Sequence, residues 1–132
     1  MRLCLFASIA VILTSFVGCS SSEPQPQPLP VTGTVTMGGK PLASGRIAFR
    51  GKDQPPIGGE IVNGKYECRA WPGPTVVEVR AYRSVKRAQH VPGMSDTEEI
   101  NYIPARYNDE STLHAEVSPD GTNSFNFELS SR

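Results

Sequence analysis

The chain has 132 residues, which by length is one domain. Its 13 Lys and Arg residues balance 13 Asp and Glu residues, so the formal net charge is zero. A nucleic-acid-binding protein would show a strong basic excess, and the composition argues against that function class. The 12 Gly and 12 Pro residues indicate many turns, and few segments have helical periodicity, which favours an all-β fold.

The N-terminal segment has the pattern of a secretory signal peptide. A short positive start, Met1-Arg2, precedes an apolar run from Leu3 to Val17. The run has about fifteen residues, whereas a membrane-spanning helix needs roughly 20 and the apolar region of a signal peptide needs about 7–15. We therefore expect residues 1–18 to be cleaved rather than to form a transmembrane anchor.

The apolar run ends in Phe16-Val17-Gly18-Cys19, which resembles the lipobox of bacterial lipoproteins. In that family the Cys thiol takes up diacylglycerol as a thioether, cleavage occurs just before the Cys, and the freed amine is often acylated. The resemblance implies lipidation of Cys19, with acyl chains of the palmitate kind, although Phe16 stands where Leu is usual. The alternative is a plain signal peptide followed by a chance Cys.

Lipid on Cys19 implies a location as well as an anchor. One acyl chain holds a protein only marginally, at about 0.8 kcal/mol per buried methylene, whereas two or three chains hold it firmly. Ser20 follows Cys19, where lipoproteins retained in the inner membrane usually carry Asp. The resemblance therefore implies a lipid-anchored protein of the cell envelope, in the outer membrane rather than the inner one.

Residues 19–30 comprise the lipidated Cys and a linker rich in Pro, Gln and Ser. Alternating Pro and Gln favours polyproline II at about 3.1 Å per residue, so we expect a semi-rigid stalk of roughly 30 Å. Of the three Cys residues, Cys4 lies in the leader and Cys19 is the lipid acceptor. Cys68 then has no intrachain disulfide partner, and its alternating context predicts a buried structural thiol.

Residues 31–132 form the predicted folded domain. Asn63-Gly64 between two apolar runs is a strong hairpin signal, and residues 100–107 are predicted as an irregular edge with Ile103 and Tyr107 inward. About seven short strands bounded by turn residues are typical of a β-sandwich. Apolar–polar alternation predicts strands over 31–37, 46–50, 61–62, 66–70, 75–83, 113–117 and 125–129.

Several segments of the domain resemble carboxypeptidase regulatory-like domains, which have a transthyretin-like (prealbumin-like, Ig-like) sandwich of about seven strands. The resemblance covers residues 29–130 and implies that fold, together with a domain that is usually non-catalytic. The segments are Val31-Thr-Gly-Thr-Val35, Gly39-Lys-Pro-Leu42, Gly45-Arg-Ile-Ala-Phe49, Gly64-Lys-Tyr66, Pro72-Gly-Pro74, Pro104-Ala-Arg-Tyr-Asn108, Ser111-Thr-Leu113 and Asn126-Phe-Glu-Leu129.

Motifs for catalysis, cofactors and metals are not found. Gly38-Gly39-Lys40 lacks phosphate-loop spacing, and Ser111 with His114 lacks a hydrolase nucleophile elbow. The two His residues, at 90 and 114, have no metal-ligand spacing, and the oxygen-bearing residues at 108–110 and 120 lack the EF-hand pattern. The catalytic residues of the urate-pathway hydrolase among transthyretin-like folds are also missing. We therefore expect no enzymatic activity, no cofactor and no metal.

A basic run is the candidate binding face, and it adjoins a long polar segment, Ser84–Glu99, predicted to be a loop. Such a face would grip anionic headgroups or acidic glycans, or it is a solvated surface balanced by the acidic residues at 96, 98 and 99. Its residues are Arg80, Tyr82, Arg83, Lys86 and Arg87.

The sequence predicts a non-enzymatic, lipid-anchored envelope protein that presents the sandwich for a structural or protein-binding role. Its partners would be the membrane, through Cys19, and another envelope protein or a surface polymer. The alternative is a carbohydrate- or anionic-polymer-binding module, for which Tyr82, Trp71 and Tyr102 are the candidate aromatics. A small hydrolase is the third hypothesis, and it lacks a nucleophile with an aligned base.

Overall fold

The structure is a computed structural model that describes residues 24–132. The predicted signal peptide of residues 1–18, the predicted lipidation site Cys19 and the start of the predicted linker lie outside the described residues. The described part contains β-strands and one short 3₁₀ helix, Ala105–Tyr107. Its strands are β1 (Leu29–Met37), β2 (Lys40–Pro41), β3 (Ser44–Arg50), β4 (Ile57–Val62), β5 (Lys65–Ala70), β6 (Gly73–Arg80), β7 (Tyr82–Lys86), β8 (Thr97–Asn101), β9 (Leu113–Val117) and β10 (Phe127–Leu129).

Eight of these strands form one sheet and the other two form a separate hairpin. The main sheet has the order β10-β1-β5-β4-β3-β6-β9, with the short β2 beside β1, and β7 pairs with β8 alone. Neighbouring strands are antiparallel except β1 and β10, which run parallel. The main sheet curls around its apolar side chains. The all-β, sandwich-like class predicted from the sequence is confirmed.

The core lies on the concave face of the sheet, where alternate residues of each strand point inward. Phe49 and Ile47 are among the largest buried side chains, and each contributes about 1.5–3 kcal/mol by burial. The ring of Tyr66 lies 6.0 Å from that of Phe49 and 6.5 Å from that of Phe127, which ties the first half of the sheet to its last strand. Ile103 and Tyr107 are buried as predicted, in the segment that leads to β9.

The closure of the sheet around β1 depends on Gly33. A Cβ atom there would lie 1.8 Å from the carbonyl oxygen of Phe125 and 2.8 Å from the Tyr66 hydroxyl. That hydroxyl donates a 2.7 Å hydrogen bond to the same carbonyl oxygen. Only a residue without a side chain lets β1 and the segment before β10 approach this closely.

The structure begins the domain slightly earlier than the sequence predicts. Strand β1 starts at Leu29 rather than Val31, because Leu29 and Pro30 pair with the end of β5. The Arg69 guanidinium donates from Nε to the carbonyl oxygen of Pro28 at 3.1 Å, which attaches the end of the linker to the sheet. The predicted hairpin at Asn63-Gly64 is confirmed, with both residues at positive φ between β4 and β5.

The prediction that Ser84–Glu99 is one long loop is wrong at its two ends, where three residues belong to β7 and three to β8, and right for residues 87–96, which form the loop of the hairpin. The predicted strand 75–83 breaks at Ala81, which is fully buried and accepts a 3.0 Å hydrogen bond from the Tyr102 amide. The chain turns there into β7, and the Arg87 amide donates to the Asp96 carbonyl oxygen at 2.7 Å to close the remaining loop. Polar residues dominate both faces of this hairpin, so apolar alternation could not show it.

Candidate functional site

The outer face of the main sheet, opposite the core, carries an unusual concentration of arginine. On β3, burial of Ile47 and Phe49 forces Arg46, Ala48 and Arg50 outward. The same alternation on β6 buries Val77 and Val79. It leaves Val76, Glu78 and Arg80 on the outer face.

Sheet register places these side chains in rows across the strands. Arg46 lies opposite Arg80 of β6 and, on its other side, opposite Glu60 of β4. The next row along the strands pairs Ala48 with Glu78 and with Gly58. The first row therefore consists of long charged side chains, whereas the second row has two small residues, Gly58 and Ala48, beside Glu78.

This arrangement creates a concavity of about 310 Å³, which we call the arginine groove. Its floor is Ala48 and Gly58, its charged end is Arg46 with Arg80, and Tyr82 lines it at the start of the hairpin. A Cβ atom on Gly58 would lie 2.0 Å from the Ile47 carbonyl oxygen, so β4 and β3 meet closely at the floor. The groove thus results from the close approach of β3 and β4 and from the small size of Ala48 and Gly58.

Ion pairs satisfy only part of the charge on this face. Glu78 is mostly buried and binds Arg50 at 2.9 Å and Arg80 at 2.7 Å. Arg80 also binds Asp109 at 2.7 Å. Its pKa is raised, first by the hydrogen bond to Glu78 and then by the one to Asp109.

Arg46 is exposed and makes no ion pair with any carboxylate in residues 24–132. Arg46 faces Arg80, whose guanidinium is already paired with Glu78 and Asp109. On its other side Arg46 faces Glu60 without forming an ion pair with it, so the charge of Arg46 has no close partner among the described residues. An anion at this position would pair with the Arg46 guanidinium and accept bidentate hydrogen bonds from it. The charged end of the groove is therefore a candidate anion site.

A second groove, of about 390 Å³, lies further along the same face. Arg50, Lys52 and His114 line it, together with the outward side chain of Val76. His114 is opposite Val76 in the register, and Val76 is opposite Arg50, so the three strands β3, β6 and β9 form its base. It is also rich in groups that donate hydrogen bonds to anions.

The five residues of the predicted basic face do not share one surface. Arg80 lies on the main sheet, and the other four lie on or beside the β7–β8 hairpin. Tyr82 and Lys86 point to one side of the hairpin. Arg83 and Arg87 point to its other side. The Arg83 guanidinium lies 5.8 Å from the Tyr102 ring centre, and Arg87 pairs with Glu98 at 3.4 Å. Only Arg80 and Tyr82 of the five line the arginine groove.

Three other residues discussed from the sequence, Ser111, Cys68 and His90, make contacts within the fold. The Ser111 hydroxyl donates to the carbonyl oxygen of Val77 and accepts from the Leu113 amide at 3.2 Å. Cys68 is half-buried rather than fully buried, and desolvation raises the pKa of its thiol to about 11. His90 contacts Asp96 at 2.8 Å across the hairpin loop.

Metal-ligand clusters and membrane-spanning helices are both absent from the described part of the chain. Between residues 24 and 132, no three His, Cys, Asp or Glu side chains come together as a metal-binding group. The same residues include no helix long and apolar enough to cross a membrane.

The sequence interpretation missed Arg46 and Arg50 as site residues. The sequence pattern could have identified them, because the alternation in Arg46-Ile47-Ala48-Phe49-Arg50 already predicts that both arginines point outward. What the alternation could not supply was the partner strands. Only the register shows that Arg46 faces Arg80 and that Gly58 lies beside Ala48.

Comparisons with known proteins give no family for this chain. No protein-family model matches it, and no curated protein matches it significantly. Among solved structures, a 9R-lipoxygenase from Cyanothece aligns with 94% of this chain at 14% identity and a TM-score of 0.37. The alignment covers 18% of the lipoxygenase, so the chain spans less than a fifth of that protein. A likeness at this level carries no argument about activity.

Proposed function

We propose that this protein is a non-enzymatic, lipid-anchored protein of the bacterial cell envelope whose carboxypeptidase regulatory-like (transthyretin-like) sandwich is a binding domain. The leader of residues 1–18, the Gly18-Cys19 junction and the Pro-rich linker support the anchor. The observation that carries the binding role is Arg46, an exposed arginine that faces Arg80 at the charged end of a groove.

The position of the groove suits a domain held at its N-terminus. The linker enters the sheet at Leu29, which pairs with Ala70, and β6 starts nearby at Gly73. Strand β6 runs from Gly73 to Arg80, a separation of seven residues, so the charged end lies about 23 Å along the strand from the start of β6. A tether at Cys19 would leave this end and the β7–β8 hairpin directed away from the membrane.

The predicted partners were another envelope protein or a surface polymer. The arginine groove favours a partner that carries negative charge, because paired guanidinium groups recognise carboxylate and phosphate. The function that the geometry supports best is therefore the binding of an anionic component of the envelope by an anchored, non-catalytic domain.

The anchor is tested by replacing Cys19 with Ala in the full-length protein, in its own cells. We expect the wild-type protein to take up an alkyne analogue of palmitate and to remain in the outer-membrane fraction. The Cys19→Ala variant should lose the label and leave the membrane fraction. If it stays in the membrane as firmly as the wild type, the lipoprotein assignment is wrong.

The binding face is tested by a photo-crosslinking aromatic residue in place of Tyr82, whose side chain is about half exposed. We expect adducts with an anionic envelope component that disappear when Arg46→Gln is added. The control places the same residue at Val62, which is 59% exposed on β4 and does not line the groove. Equal adducts at both positions, insensitive to Arg46→Gln, would contradict the proposed binding role.

A further inference from the structure

We propose that the arginine groove and the second groove form one track for an extended acidic glycan, a polysaccharide with negatively charged groups along its length. This inference rests on the proposed function in taking the outer face as the binding surface. It goes further in naming the class of ligand and a second contact region, formed by Arg50, Lys52 and His114.

The first support for a polymer is the spacing of the two cationic regions along one strand. Arg46 and Arg50 are on the same face of β3, four residues apart, which corresponds to about 13 Å. A single small anion cannot contact both regions, whereas a chain with repeated acidic groups can. Linking the two contacts in one molecule raises the affinity, because the second contact becomes intramolecular.

The second support is the surface between the two charged regions. Ala48 and Gly58 are small, so the floor is low. Glu78 beside them shares its single negative charge between Arg50 and Arg80, so it does not cancel both guanidinium groups, and Arg46 and Lys52 add further positive charge. Tyr82 lines the groove with its side chain 49% exposed. Sugar rings have an apolar face that packs on such a floor and against an aromatic ring, while their acidic groups reach the guanidinium groups.

An acidic peptide suits this surface less well than a glycan does. Extended peptides usually bind to a sheet by adding to its edge, where unpaired backbone groups supply most of the affinity. The track lies on β3 and β6, and both strands already pair on each side within the main sheet. A peptide there would leave its own amide groups without backbone partners, whereas a glycan bonds through hydroxyl and acidic groups.

The test uses the full-length lipidated protein in detergent micelles and fluorescently labelled oligogalacturonate, measured by anisotropy. An oligomer of about eight units should bind at least about tenfold more tightly than the monomer. Arg46→Gln and Arg50→Gln should each weaken oligomer binding about tenfold or more. Sulfated dextran and a phosphate-bearing glycan identify which acidic group is preferred.

Arg83→Gln is the matched control, because it removes the same charge from an exposed arginine on the other side of the hairpin. We expect it to change the affinity less than about twofold. An equal loss in Arg83→Gln and Arg46→Gln would show diffuse charge attraction and would overturn the track. Neutral dextran binding as tightly as the acidic oligomer would overturn it too.

Two outcomes separate this inference from the proposed function. Poly-glutamate bound as tightly as oligogalacturonate would identify the partner as an acidic protein segment and reject the glycan. Binding to no acidic glycan, with crosslinks at Tyr82 still lost in Arg46→Gln, would reject the inference and leave the anchored binding domain in place.

Discussion

Asn108 is a buried polar side chain that donates a hydrogen bond to the backbone of β6, and its replacement by Asp is a sharp test of the structure. The residue is 2% exposed, and its amide nitrogen donates to the carbonyl oxygens of Val79, Ile103 and Pro104 at 3.1–3.3 Å. Its oxygen accepts from the Asp109 amide at 2.9 Å. An aspartate side chain has the same shape, but its carboxylate cannot donate and would face three carbonyl oxygens.

The expected loss of stability can be worked out from these contacts. In the Asn108→Asp variant, a protonated carboxyl has one O–H where the amide has two N–H groups, so one hydrogen bond is lost and a buried carbonyl oxygen is left without its partner, which together cost about 2 kcal/mol. In the unfolded chain the carboxyl releases its proton above about pH 3.9, whereas burial raises its pKa in the fold. The native state then binds more protons than the unfolded state, so stability falls as the pH rises.

The magnitude of this pH term is about 1.36 kcal/mol for each unit between the two pKa values. If the folded carboxyl stays protonated at pH 7, the interval of roughly three units costs about 4 kcal/mol. We therefore expect Asn108→Asp to lower the free energy of unfolding by about 2 kcal/mol at pH 4 and by about 6 kcal/mol at pH 7. The second value is a large share of the roughly 5–15 kcal/mol typical of a domain.

Urea unfolding of the full-length protein, followed by the fluorescence of Trp71, measures both values. Trp71 is the single Trp of the chain and donates from Nε1 to the Pro55 carbonyl at 2.8 Å, so unfolding changes its surroundings. Asn126→Asp is the control, because that exposed amide uses its oxygen to accept from Thr34. It should be tolerated at both pH values. A pH-independent loss in Asn108→Asp, or an equal loss in Asn126→Asp, would refute the reasoning.

Three further predictions follow from single side chains. Gly33→Ala should lower the free energy of unfolding, measured in urea, by about 2–4 kcal/mol, because the new Cβ atom would lie 1.8 Å from a carbonyl oxygen. Gly121→Ala is the control: its Cβ atom would lie 3.4 Å from the nearest atom, so the free energy of unfolding should change little. Cys68 should react slowly with maleimide in the folded protein at pH 8. The reaction rate should rise about tenfold for each pH unit as the pH approaches the thiol pKa of about 11. Rapid labelling at pH 8 would contradict the half-buried position of Cys68. A hydrolase screen should find no turnover, and turnover abolished by Ser111→Ala or His114→Ala would disprove the non-enzymatic assignment.

Much of the fold is predictable from the sequence where strands have one apolar face. Alternation identifies β1, β3, β6 and β9, because Val31, Ile47, Val77 and Val117 must all leave water. The Asn63-Gly64 turn is equally local, since both residues need positive φ. These features depend on a few neighbouring residues and on burial alone.

The hairpin and the site could not be predicted in the same way. Strands β7 and β8 pair only with each other, and their apolar residues Val85 and Ile100 are only partly buried. The hairpin therefore needs no fully apolar face, and its sequence has no clear apolar–polar alternation. The groove depends on which strands are neighbours, and a two-residue run such as Ile61-Val62 does not specify its partner. Arg46 and Arg80 are far apart in the chain, and only the pairing of β3 with β6 makes them a site.

Under the proposed anchoring at Cys19, the position of β1 would have a mechanical consequence. The linker continues directly into β1, which pairs with β5 on one side and with β10 on the other. A pull between the membrane and a ligand on the outer face would act nearly along β1. It would load the hydrogen bonds of both neighbouring strands together, in shear, instead of opening them one after another. With the chain anchored as proposed, the parallel pairing of β1 with β10 would add to the resistance of the domain to force applied at its N-terminus.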